Sequence, residues 1–195
     1  MDDIYGTHRP HMEATLDLLV AQVKQLRAYM IQENDLDPIE HILARIKSDA
    51  SMREKCRRRG LPENAYSALN LIHDALGVRI VCAFLSDVYS IRDQLKADPS
   101  LEVIEERDYI RHAKPNGYRS YHLILRTQAG YFAEIQLRTI SMDTWAALEH
   151  HLSYKKAPAA NQRLIAQELK RCADELASTD VSMQTIRDMI VGGNQ

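Results

Sequence analysis

The sequence predicts an α+β domain, and three features carry that expectation. Apolar residues recur at Met12, Leu16, Leu19, Val23, Leu26 and Met30, the four-three spacing of a helical stripe. The run VRIVCAF, Val78 to Phe84, is continuous, apolar and β-branched, as a buried strand should be. Two later segments, Tyr118 to Thr127 and Tyr131 to Thr139, read as strands joined by the hairpin-sized turn Gln128-Ala129-Gly130.

The elements follow in order. The first helix ends near Asn34, and Asp37-Pro38 reads as the start of a second, with Pro at an early helical position. A third helix runs from about Ala50 to Arg59 and stops at Gly60 and Pro62. Ala65 to Leu71 is short and helical. After the strand Val78 to Phe84, a helix from Asp87 to Ala97 ends before Pro99, and Leu101 to Ile110 is strand-like. Met142 to Tyr154 is helical, and after Pro158 a helix runs from Asn161 to about Ile190. The tail Gly192 to Gln195 is expected to fray. The sum is a sheet of about four or five strands flanked by helices, with helical arms at both ends. The stripe on the first helix is narrow and its other faces are charged, so a second subunit is the expected cover for it.

Bulk properties bound the function. The 195 residues are 45% hydrophobic, a globular composition. The formal net charge of −2 excludes a global polycation, so any phosphate binding rests on local clusters. Cys56, Cys82 and Cys172 are odd in number and form no C-x-x-C pair, which argues against a disulfide framework or a zinc knuckle. No secretory signal and no membrane-length apolar run is present, so a cytoplasmic location is expected.

Chemistry concentrates in four places. Ala44 to Gly60 holds seven basic residues, Arg45, Lys47, Arg53, Lys55, Arg57, Arg58 and Arg59, against Asp49 and Glu54. A solvated helix face is the commoner meaning of such a run. Here Arg45 and Lys47 precede a helix and Ser51 sits near its start, which makes an anion site suited to a triphosphate. In the strand YFAEIQLRT, alternation puts Glu134, Gln136 and Arg138 on one face, with His122 and Arg126 alternating on the strand before it. Asp74 precedes the buried strand and Arg79 lies early within it. Asp74 can close a turn, or, with Glu134, hold a hard cation that keeps water and phosphate as its other ligands. The stretch HAKPNGYRSYH, His112 to His122, crowds bases, a lysine and two phenols behind a Pro-Asn-Gly turn. Neither common phosphate loop is present.

Five segments then occur in one order: PIEHILARIKSDASMREKCRRRG, IHDALGVRIVCAF, RDYIRHAKPNGYRSYHLIL, AEIQLRT and MDTWAALEH. Together, over about Pro38 to Tyr154, they resemble the synthetase domain of the RelA/SpoT family, in its single-domain small alarmone synthetase branch. The resemblance implies a nucleotidyltransferase-like mixed sheet and three parts: an N-terminal helix for oligomerisation over 1–36, the synthetase domain over 37–157 and a C-terminal helix over 158–195. It implies a GTP diphosphokinase that moves pyrophosphate from ATP to the 3′-hydroxyl of GDP or GTP with Mg²⁺, releasing AMP, and that assembles as a homotetramer.

The resemblance also implies roles. Arg45 and Arg79 flank adenine, and Lys47, Ser51, Lys55 and Arg58 cradle the ATP phosphates. Asp74 and Glu134 are the catalytic carboxylates and metal ligands. Tyr118 stacks on the acceptor guanine, Lys114, His122 and Gln136 complete that pocket, and Arg107 reaches phosphates. Ala75-Leu76 departs from the family's usual Ile-Ala, and Thr144 stands where an aromatic is common. Val20, His41, Leu43 and Asp143 depart from the relatives that their product activates, although Lys24 and Arg27 remain, so little activation by pppGpp is expected. The competing expectations are a toxin of the same fold acting on tRNA 3′ ends or adenosine nucleotides, and a non-enzymatic RNA-binding regulator that uses the basic stretch from Arg45 to Arg59, an activity that could also accompany synthesis.

Overall fold

The structure, a computed structural model, describes residues 3–34, 36–153 and 161–192. Five strands, β1 (Ile39–Ile46), β2 (Leu76–Cys82), β3 (Leu101–Asp108), β4 (Tyr121–Thr127) and β5 (Phe132–Thr139), form one sheet in the order β1-β2-β5-β4-β3. Only β2 and β5 run parallel; the other pairs are antiparallel. Helices α1 (Arg9–Asn34), α2 (Asp49–Arg58), α3 (Leu85–Ala97), α4 (Ile140–Ser153) and α5 (Gln162–Gly192) surround it. A short π-helical turn, Ser67–Leu71, lies where the sequence predicts a helical piece.

The two faces of the sheet differ completely. One carries Val78 and Ile80 of β2, Leu123 and Leu125 of β4, and Ala133, Ile135 and Leu137 of β5, all at most 1% exposed. Met12, Leu19 and Val23 of α1 and Val88, Ile91 and Leu95 of α3 join them in one core. Period-2 alternation then sends Arg79, His122, Glu134, Gln136 and Arg138 to the opposite face.

Three expectations need correction. The segment after Pro38 is the edge strand β1, not a helix. Its Ile42, Ala44 and Arg45 pair with Ile80, Val78 and Gly77 of β2, and that non-local ladder overrides the helical propensity of EHILAR. The α1 stripe faces its own chain: Met12, Leu19, Val23 and Met30 are buried against this sheet, whose apolar face needs a cover. Strand β4 begins at Tyr121, so Tyr118 to Ser120 precede it.

The three cysteines are free, with Cys56 and Cys82 buried and Cys172 exposed. No described helix is long and apolar enough to cross a membrane. Tyr154, the boundary at 157/158 and the tail beyond Gly192 lie outside the described residues.

Candidate active site

Cross-strand partners project to the same side of a sheet, so the register places the polar residues in rows. One row reads Arg45, Gly77, Glu134 and Ile124 across β1, β2, β5 and β4; the next reads Leu43, Arg79, Gln136, His122 and Arg107. Gly77 matters because it has no side chain between Arg45 and Glu134. A cavity of about 310 Å³ opens there, lined by Arg45, Lys47, Asp74, Gly77, Arg79, Glu134 and Gln136 among others. A second cleft of about 270 Å³ lies beside the same two carboxylates and is bordered by Lys55, Arg59, His73 and Arg107.

Asp74 sits just before β2 and is held from the α2 side. Its Oδ2 accepts from Lys55 Nζ at 2.5 Å and lies 3.0 Å from Lys47 Nζ, while its buried Oδ1 has no partner. An unpartnered carboxylate oxygen, flanked by two ammonium groups, at the edge of a cavity shared with Glu134 fits a hard cation that brings phosphate oxygens as further ligands. Among the described residues no group of three or more His, Cys, Asp or Glu suits a metal ion, so the protein's share would be these two carboxylates.

Glu134 is clamped on both oxygens. Oε1 is 2.9 Å from His122 Nδ1, and Oε2 accepts from Gln136 Nε2 at 2.9 Å. Burial pushes its carboxyl up, but His122 first, then Gln136 and Lys55, outweigh that and hold it at about 2. The clamp continues through His122 Nε2 to the Tyr118 hydroxyl at 2.9 Å. Arg138 then donates to Tyr118 Oη at 2.8 Å, to Gln136 Oε1 at 3.1 Å and to Asp143 Oδ1 at 3.1 Å. Asp143, in the first turn of α4, also accepts from Arg79 at 3.2 Å. Burial, and next the charge of Arg138, lower the Arg79 guanidinium from its ordinary value, with Asp143 opposing them.

Each residue singled out from the sequence can now be located. Arg45, Lys47, Arg79, Asp74, Glu134 and Gln136 converge on the larger cavity. Tyr118, His122 and Gln136 share one hydrogen-bonded network with Glu134, and Lys114 Nζ lies 5.0 Å from the Tyr118 ring centre. Ser51 lies in the first turn of α2, where Ser48 is the N-cap and donates to its hydroxyl. Lys55 lines the smaller cleft, and Arg58 is exposed at the end of α2. Arg107 reaches the smaller cleft rather than Tyr118, and its guanidinium pairs with Glu105 at 2.6 Å. Arg126 leaves the group and packs over Phe132 instead.

Sequence reasoning missed Arg138 and Asp143 as supports, and Tyr109, whose ring meets those of Tyr118 and His122 edge-on. For Arg138 the signal was present, since it alternates with Glu134 and Gln136 on the same face. Tyr109 and Asp143 reach the site from other elements, and no local spacing marks them.

Comparison with known proteins gives the family. Residues 44–159 match the family described as the region found in RelA / SpoT proteins. The GTP pyrophosphokinase YwaC of Bacillus subtilis is 41% identical over 158 residues, covering 77% of this chain and 75% of that protein. The GTP pyrophosphokinase YjbM of the same organism is 35% identical over 185 residues, covering 91% and 85%. Among solved structures, small alarmone synthetase 1 from Bacillus subtilis bound to its product pppGpp superposes with a TM-score of 0.79 at 32% identity, covering 92% of this chain and 94% of that one. Small alarmone synthetase 2 from the same organism gives 0.79 at 36% identity, covering 91% and 94%. A five-stranded mixed sheet whose second face carries Arg79, His122, Glu134, Gln136 and Arg138, and relatives that match along nearly its whole length, place this chain in the RelA/SpoT family.

Proposed function

We propose that this protein is a (p)ppGpp synthetase, transferring a pyrophosphoryl group from ATP to the 3′-hydroxyl of GDP or GTP and releasing AMP. The observation that carries the reading is the convergence of Arg45, Lys47, Asp74, Arg79, Glu134 and Gln136 on one cavity, beside the Tyr118–His122–Glu134 network. The likeness to a synthetase bound to pppGpp, and to two GTP pyrophosphokinases, favours guanine nucleotides as acceptor over tRNA or adenosine nucleotides.

The chemistry asks mainly for positioning and charge neutralisation. Arg45 and Arg79 offer two guanidinium planes for adenine at one end of the cavity. Lys47 and Lys55, now turned on Asp74, are within reach of the triphosphate, with Ser51 and Arg58 further along α2. Mg²⁺ held by Asp74 and Glu134 would neutralise phosphate oxygens as a Lewis acid. Tyr118 presents a ring for guanine, Lys114 adds charge at the mouth of the pocket, and Arg107 serves phosphates through the smaller cleft. Glu134, held ionised near a pKa of 2, is a weak proton acceptor. We read it as a metal ligand that also orients the attacking hydroxyl. His122, with one ring nitrogen on Glu134 and the other on Tyr118, fixes that orientation.

The same reading puts the enzyme in the cytoplasm, with its nucleotide substrates, and assembles it as a homotetramer. Val181, Ile186, Met189 and Ile190 on α5 and Leu148 and Leu152 on α4 are exposed, which supports helix-mediated assembly now that the α1 stripe is spoken for. Light scattering that finds the 22.3 kDa chain monomeric at micromolar concentration refutes the tetramer. The reaction is tested by supplying ATP labelled in its terminal phosphates with GDP, GTP, ADP or tRNA. Label in the guanine nucleotide is the expected result, and label only in tRNA or ADP overturns the reading.

A further inference from the structure

The segment before α1 reaches the phosphate cradle. Tyr5 is fully buried, and its hydroxyl donates to the Lys47 carbonyl at 2.7 Å, bridging 42 positions of sequence. One residue earlier, Ile4 N–H donates to Asp49 Oδ1 at 2.7 Å, and the Ile4 side chain is buried in the core. From the other side, Lys47 N–H donates to the carbonyl of Ala75, the neighbour of Asp74, at 2.9 Å. Lys47 and Ser48 are the only residues between β1 and α2. The link that aims Lys47 at Asp74 is therefore held at its Lys47 N–H and carbonyl, the latter by this segment, which also holds Asp49 at the start of the helix bearing Ser51 and Lys55.

We propose that Tyr5, supported by Ile4, is a positioning residue for the donor phosphate cradle, a role that rests on the ATP site proposed above. A free two-residue link has many backbone states, and each one swings the Lys47 ammonium. Tying its N–H and its carbonyl leaves one of them. The hydroxyl is the informative atom. The ring alone would fill the core, but a buried phenol placed on a backbone carbonyl also satisfies an acceptor that no ladder partner reaches.

The test replaces Tyr5→Phe, which keeps the ring and removes the bond. Binding of a non-hydrolysable ATP analogue and of GDP is titrated separately, beside a thermal melt. The expected result is ATP-analogue affinity weakened about three- to tenfold, with GDP affinity nearly unchanged and the melting temperature lowered by a few degrees, because the Lys47 carbonyl loses its partner. Asp49→Ala should act in the same direction, and Asp49→Asn, which keeps an acceptor for Ile4 N–H, should recover most of the affinity. Unchanged ATP affinity in Tyr5→Phe overturns the proposal. So does an equal loss of ATP and GDP affinity, which would mean general loosening. A wild-type protein that binds no ATP analogue refutes the donor site itself.

Discussion

Gly117 is the position where a single methyl group should separate acceptor from donor function. It closes the Lys114-to-Tyr118 turn at φ +92, and a Cβ placed there would lie 2.6 Å from Ala173 Cβ and 3.2 Å from Lys170 Cα on α5. Ordinary carbon contacts are about 3.5–4.0 Å. Gly117→Ala therefore meets two penalties, about 1–2 kcal/mol for an L-residue in the left-handed region and about 1–3 kcal/mol for overpacking. The combined cost, roughly 2–5 kcal/mol, is below the stability of a typical domain, about 5–15 kcal/mol. The fold should survive while the turn separates from α5. Arg119, which pairs with Asp174 at 3.0 Å, and Tyr118 beside it would shift with the turn. Arg45, Lys47 and Arg79, the residues proposed for the donor, lie on β1, the link to α2 and β2, away from that contact. Initial rates should show acceptor KM raised about tenfold or more, where 1.4 kcal/mol is one factor of ten, with ATP KM near wild type. Gly130→Ala is the control: φ is +86 but no atom lies within 4 Å of the added Cβ, so stability falls and neither KM moves. An unchanged acceptor KM in Gly117→Ala would refute the docking of this turn on α5.

Four further outcomes are expected. Tyr118→Ala should raise acceptor KM about tenfold, since stacking on one aromatic is worth roughly 1–3 kcal/mol, and collapse of ATP binding instead would put Tyr118 in the wrong pocket. Glu134→Gln should abolish synthesis with ATP binding nearly intact; most of the wild-type turnover surviving would end its catalytic role. The same variant has a pH signature, because the Glu134 carboxyl lies near 2 when folded against an ordinary 4.5. Its stabilisation is full above about pH 4.5 and is lost as pH falls through about 2, so acid unfolding of Glu134→Gln should be flatter across that window. Added pppGpp should leave the initial rate at sub-saturating acceptor nearly unchanged. Arg27 is already bound to Asp37 at 2.5 Å, and Val20 adds no charge beside it. A severalfold stimulation that disappears in the double Lys24→Ala, Arg27→Ala variant would show that the first helix holds the nucleotide after all. Asp143 weighs less in that argument than its charge alone suggests, because Arg79 and Arg138 already neutralise it.

Much of the site was legible because it lies on regular elements. Alternation along AEIQLRT places Glu134, Gln136 and Arg138 on one face, and the hydrogen bonds linking them run along that face. Helix α2 was legible from its Gly-Pro stop. The edge strand β1 was not, because Glu, Leu, Ala and Arg favour a helix and Pro38 suits a helix start; only the ladder to β2 makes the segment extended. Arg107 pairs with His122 in register and also lines the smaller cleft, a placement that depends on the β3–β4 ladder and on no local pattern. Tyr5 left no trace in any local pattern, since its partner is 42 positions away.

By itself the sequence determined the fold class, the order of the chemistry-bearing segments and, through five matched motifs, the family. Fold class follows from local period and composition, and the family from the resemblance of five short segments in one order. The tertiary structure decided which segments lie side by side: Arg45 next to Gly77 next to Glu134, α1 over its own sheet, α5 against the acceptor turn and Tyr5 beneath Lys47. The physical reason is that a strand's period assigns each side chain to a face, while its neighbours on that face depend on pairing with distant strands, and that pairing is selected by burial of the whole apolar face at once.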